Sequence, residues 1–169
     1  MSKRTLLGLL ILVVAAVGFV ISTRSQPSQP GFEVTATSEE ITTTHLVKIG
    51  EHSYVVEVAA TVEEQSQGLS NRETLPENAG MLFPFNPPRV VPFWMKDMRF
   101  PLDIIWIDED NKIIGIEKNA PAPREGTETS DLPSYSPPGP IRYVLELNAG
   151  QSQHFKVGDS VTISEIQAL

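Results

Sequence analysis

The chain has 169 residues, a formal net charge of -8, 14 prolines and no cysteine. That length suits one domain plus a small remainder and excludes a large multidomain enzyme. The missing cysteines exclude disulfides, thiolate metal sites, iron–sulfur clusters and thiol nucleophiles, and the acidic balance argues against a nucleic-acid surface.

Residues 1–24 read as an N-terminal membrane anchor. Lys3, Arg4 and Arg24 bracket a predominantly apolar, uncharged stretch over 5–23. As a helix it reaches about 28 Å, close to the thickness of a bilayer core. A cleaved signal peptide, which would release the domain, is the alternative; it normally has a shorter apolar region followed by small residues. Without a cysteine there is no lipoprotein attachment. The excess of positive charge before the span keeps the N-terminus in the cytoplasm, so the chain is expected to cross the cytoplasmic membrane once with its bulk outside. All 21 acidic residues but only 10 of the 13 basic ones lie beyond residue 24, so 25–169 carries -11. Residues 25–42, with Pro27, Pro30 and many Ser and Thr, form a flexible linker.

From 43 to 169 the pattern is that of a β-rich domain. Thr44–Ile49 and 52–59 are β-branched runs around Gly50-Glu51, a hairpin signal. Thr61 and Glu64 form a capping box that opens a short helix over 62–69. Short apolar runs follow at 80–85 and 90–95, then a strongly apolar strand, Leu102–Ile107. A turn at 108–111 leads to a partner strand over 112–117. Residues 120–140 hold six prolines and read as a long loop and a candidate site. Strands over 141–147 and 161–166 complete a single jelly-roll-like β-sandwich or barrel.

Charges inside apolar strands mark the candidate chemistry. Asp103 interrupts a strand apolar on both faces, and Glu146 interrupts the last long one. A buried carboxylate needs a partner or a wet cleft. Lys96 and Arg72 are the available cations, and Arg72 suits a carboxylate because its fork binds bidentately. The plain reading is an ion-pair network pinning strands; the functional one is a polar site of Arg72, Lys96, Asp103, Tyr135 and Glu146. If Asp103 belongs to a buried pair, its truncation should cost about 3–5 kcal/mol. Tyr135 is included because it sits in the proline-rich loop, and Phe93, Trp94 and Trp106 could stack on a flat ligand. No metal and no cofactor is expected. His45, His52 and His154 lack ligand spacing, with His45 opposite Val56 in the proposed hairpin.

The ordered string Gly68-Leu69-Ser70-Asn71-Arg72, Gly80-Met81-Leu82-Phe83, Phe93-Trp94-Met95-Lys96, Pro101-Leu102-Asp103-Ile104, then Glu146 and Gly158-Asp159 closely resembles the domain of unknown function 192 family over about residues 45–167. Two small departures stand out: Ser70 where methionine is usual, and Asp97-Met98 where Asn-Thr is usual. The resemblance implies a compact β-rich domain, often secreted or membrane-attached, and no reaction. Three functions are open. The leading one is a membrane-tethered module binding a small ligand or an envelope component. The second is a hydrolase with Asp103 and Glu146 as a carboxylate pair. The third is a structural or assembly partner, which predicts an exposed apolar patch or a free edge strand at 90–95.

Overall fold

The alternation of apolar and polar residues becomes nine strands and one short helix. The computed structural model describes residues 44–166. The expected anchor and linker lie outside these residues. Among the described residues no helix is long and apolar enough to cross a membrane. Strands β1 (Thr44–Ile49) and β2 (His52–Val58) form the expected hairpin, with Ile49 opposite His52 and His45 opposite Val56. Gly50 turns it with a φ of 56°, a conformation glycine adopts without strain.

Helix α1 (Val62–Gln67) starts on the expected capping box. Thr61 Oγ1 accepts from the Glu64 amide at 3.1 Å, and Glu64 Oε2 accepts from the Thr61 amide at 2.8 Å. It stops two residues earlier than the sequence suggests, at Gly68, whose φ of 48° breaks the helical path.

The strands β3 (Ala79–Arg89), β5 (Leu102–Ile107), β6 (Ile113–Ala120), β8 (Ile141–Asn148) and β9 (Val161–Glu165) join β1 and β2 in one seven-stranded sheet, in the order β6-β5-β8-β3-β2-β1-β9. This corrects the jelly-roll expectation. β2 and β3 run parallel, with α1 in the crossover between them, whereas the other neighbours among the described strands are antiparallel. A parallel pair needs a long crossover, and the capped helix supplies it. The two outer strands also meet at one end. Lys112 bridges to Ser160, and the Ile113 amide donates to the Asp159 carbonyl at 3.0 Å.

Three boundaries also move. β3 runs on through Pro84, Pro87 and Pro88 to Arg89, with a register shift against β8 where the prolines cannot donate. The Asn86–Pro87 peptide is cis. The strand expected over 90–95 shrinks to β4 (Phe93–Trp94). It pairs with β7 (Ser134–Tyr135) in a two-stranded sheet of its own. The long loop over 120–140 thus contains β7 and a short 3-10 turn at Thr129–Asp131.

β5 is buried along its whole length, as its two apolar faces imply. Leu102, Ile104 and Trp106 join Leu69, Phe83, Met95 and Val144 on one face of the sheet, with Phe93 of β4 packed against them. Ile105 and Ile107 join Val47, Val56, Leu145 and Phe155 on the other. Each large side chain so buried contributes roughly 1.5–3 kcal/mol.

Gly80 is where β3 and β8 come closest. A Cβ there would stand 2.7 Å from the Glu146 carbonyl oxygen and 2.7 Å from Leu147 Cδ2. Because one of these neighbours is backbone, Gly80→Ala should force β3 from β8 and cost about 1–3 kcal/mol. Chemical denaturation checks this; a neutral result would mean the strands part freely.

Candidate functional site

Side chains alternate along a strand, and that alternation separates the two carboxylates singled out in the sequence. In the β5–β8 register Asp103 faces Leu147, while Glu146 faces Ile104. Asp103 and Leu147 point to one face of the sheet, and Ile104 and Glu146 to the other. The carboxylate pair proposed for a hydrolase does not form, because the sheet itself lies between its members.

Asp103 is 1% exposed and, among the described residues, has no ion-pair partner. Its Oδ1 accepts from the Asn119 amide at 2.8 Å, and its Oδ2 from the amides of Gly150 at 3.0 Å and Ser152 at 2.8 Å. Three backbone donors satisfy the buried carboxylate in place of the expected ion pair. They tie the end of β6 and the turn after β8 to β5, so Asp103 is a structural staple. Tyr54 lies on the same face. Its hydroxyl pKa is pushed up first by burial and then by the Asp103 charge.

Arg72 binds a carboxylate bidentately, as expected, but the partner is neither Asp103 nor Glu146. It makes a bidentate pair with Glu57 of β2, Nη1 to Oε1 at 2.5 Å and Nη2 to Oε2 at 2.7 Å. Hydrogen bonds from the guanidinium, ahead of its charge, hold the Glu57 carboxyl below its ordinary value. Both side chains keep about a third of their surface in water, at 36% and 33%. Screening then limits the pair, and Arg72→Met should cost no more than about 1 kcal/mol at neutral pH. Since the folded-state value lies below the ordinary 4.5, that contribution is complete above pH 4.5 and fades as the pH falls further. A stability titration from pH 7 to 3 checks it; a constant difference between variant and wild type would refute it.

Glu146 and Lys96 do come together, at one cavity of about 440 Å³. Its walls are α1 with the turn after it, the end of β3, and the 91–98 segment. Local sequence chemistry holds these walls in place. Gln65 Nε2 donates to the Ala59 carbonyl at 3.2 Å and the Pro84 carbonyl at 2.9 Å, fastening α1 to β3. Ser70 Oγ donates to the Lys96 carbonyl at 2.9 Å, and the Asn71 amide to the Asp97 carbonyl at 2.8 Å. Inside, Phe83 and Phe93 meet edge to face at 5.3 Å, and Phe93 meets Phe85 likewise at 6.3 Å.

Glu146 is 5% exposed and sits in the cavity wall between Met81 and Ile104. Among the described residues its carboxyl has neither a hydrogen-bond partner nor an ion-pair partner. Burial pushes its pKa up to about 8, so the group is mostly protonated and neutral at pH 7. At the rim, Trp94 is 54% exposed, and the Lys96 ammonium lies 6.0 Å from its ring. Lys96 has one carboxylate near it, Asp97 at 3.8 Å, with both side chains half-exposed.

Tyr135 lies next door rather than in the cavity. It pairs with Phe93 across the small sheet and packs half-buried on the same apolar cluster. Burial raises its hydroxyl pKa, and the Glu117 charge adds to this. The sequence reading missed Arg89 and Gln65, and of the phenylalanines lining the cavity it singled out Phe93 alone. Arg89, a cation closing the run Pro84–Arg89, was the available signal. Of the three positions that depart from the family pattern, Ser70 and Met98 line the cavity.

The comparisons with known proteins agree with this frame. The family model DUF192, described as an uncharacterized ACR, matches residues 45–163. A protein of unknown function from Novosphingobium aromaticivorans DSM 12444 is 33% identical; the alignment covers 70% of this chain and 83% of that one, with a TM-score of 0.60. A candidate transcription regulator from Sinorhizobium meliloti 1021 is 30% identical over 73% of this chain and 92% of its own, also with a TM-score of 0.60. No curated protein matches the chain.

Proposed function

The chain belongs to the DUF192 family, and we propose that it is a membrane-tethered, extracytoplasmic binding module whose ligand enters the cavity between α1 and the 91–98 segment. One observation carries this reading: the Glu146 carboxyl faces the cavity from an otherwise buried residue and, among the described residues, has no protein partner. A carboxyl so placed has hydrogen-bonding capacity that a ligand in the cavity can take up. The exposed Trp94 at the mouth gives a flat ligand surface to stack on. The cavity size suits a small molecule.

The tether rests on the apolar stretch over 5–23 and the basic residues before it. The -11 charge of residues 25–169 supports a small ligand or envelope component as the partner, in preference to nucleic acid. Calorimetric titration of the full chain with cell-wall glycan fragments, short peptides and metabolite pools tests the reading. Binding should be lost in Trp94→Ala and Glu146→Leu, with the unfolding midpoint of each checking that it folds. Binding that survives both variants would place the site elsewhere. Protease digestion of intact spheroplasts should remove the β domain; full protection would refute the extracytoplasmic address.

A further inference from the structure

The cavity is apolar within, yet the charges at its mouth are of one sign. Arg89 and Lys96 are its lining cations, and no carboxylate other than Glu146 lines it. This is notable in a domain with about twice as many acidic as basic residues. Both cations are held at the rim by aromatic faces. The Arg89 guanidinium lies 5.0 Å from the Phe85 ring centroid, and Lys96 lies over Trp94. Among the described residues Arg89 has no ion-pair partner, and Lys96 has only the solvent-screened pair with Asp97 at 3.8 Å. The rings thus hold two cations at the rim, one of them unpaired and the other weakly paired.

We propose that the ligand is a small amphipathic anion, its apolar body between Phe83, Phe85 and Phe93 and its carboxylate or phosphate between Arg89 and Lys96. This rests on the binding reading above and narrows it to a chemical class. The charge complement is at the mouth, where a headgroup stays hydrated, and the apolar walls below accept a ring or branched chain. Glu146 sits deeper. As a neutral carboxyl it donates to, or accepts from, a hydroxyl, carbonyl or amide on the ligand body, and it does not repel the anion.

The test uses four probes with one body and different heads: phenylacetate, phenyl phosphate, 2-phenylethanol and phenethylamine. Each is titrated at pH 7 into the full chain in phosphatidylcholine nanodiscs, with empty nanodiscs as the blank. Phenylacetate and phenyl phosphate should bind at least tenfold more tightly than the alcohol and the amine. The ratio between the two anions tells a carboxylate site from a phosphate site. In the Arg89→Gln/Lys96→Gln double variant the four affinities should converge, with the unfolding midpoint confirming that it folds. Since both residues are at the rim, each single variant should lose part of the preference. Tightest binding of phenethylamine would overturn the inference and make Glu146 the counterion of a cation. Equal binding of all four would overturn it too, while leaving the cavity a binding site. Failure of all four to bind would overturn both readings. An anion preference that survives the double variant would assign it to other residues.

Discussion

Asp103→Ala should destabilise the domain by about 3–5 kcal/mol, because it removes the shared acceptor of one buried and two part-buried backbone donors at once. The amides of Asn119, Gly150 and Ser152 all end on this one carboxylate. The Ser152 amide is buried, and an alanine offers it nothing in return. The size matches what a broken buried ion pair would give, but the cause differs: no cation is left uncompensated. Asp103→Asn separates the two accounts. It keeps the shape and one acceptor, but turns an amide NH2 toward at least one backbone donor, so it should recover only part of the loss. Hydrogen exchange should show the three amides opening together in Asp103→Ala while β1 and β2 stay protected. A loss below about 1 kcal/mol would show that water reaches the site and that the staple is dispensable.

Glu146 should make the protein less stable as the pH rises, the reverse of an ordinary paired carboxylate. Burial raises its folded-state pKa from 4.5 to about 8. Between these values the native chain holds a proton that the unfolded chain has released. Stability therefore falls across this window by up to about 1.4 kcal/mol per pH unit, and above pH 8 both states are ionised and the slope ends. Below pH 4.5 both are protonated and the contribution is again constant. Glu146→Gln carries no proton to lose, so the difference between wild type and variant isolates this group from every other titration. Glu146→Leu should be more stable than wild type at pH 8, since it removes an unpaired polar group from an apolar wall. A difference that does not vary from pH 4.5 to 8 would show that the carboxyl is already paired or hydrated in the folded chain. A stabilised Glu146→Leu that no longer binds ligand would be the signature of a residue kept for function at the expense of stability.

How much of this was legible in advance varies by element. The β1–β2 hairpin, the Thr61–Glu64 capping box and the doubly buried β5 follow from local pattern, and the structure has all three. The parallel β2–β3 pair does not. Its crossover helix was visible, but nothing local says which side of β2 the returning strand takes. β4 lost most of its expected length because Pro92 and the prolines of β3 crowd one segment, leaving Phe93–Trp94 to pair with β7.

For the candidate site the division is sharper. Composition and residue type alone marked Arg72, Lys96, Asp103, Tyr135 and Glu146 as unusual in their surroundings, and the family string Gly68-Leu69-Ser70 with Phe93-Trp94-Met95-Lys96 covers two walls of what proves to be one cavity. What each charge does was decided by tertiary structure. Arg72 went to Glu57, Asp103 to three amides, and Glu146 to the cavity alone. The physical reason lies in the two-residue period of a strand. It settles which residues share a face within one strand, and so marks an acid among apolar neighbours. Which face meets which, and across how many strands, depends on register and sheet order. That is why Asp103 and Glu146, one residue out of step across the β5–β8 ladder, became a staple and a candidate ligand contact on opposite sides of one sheet.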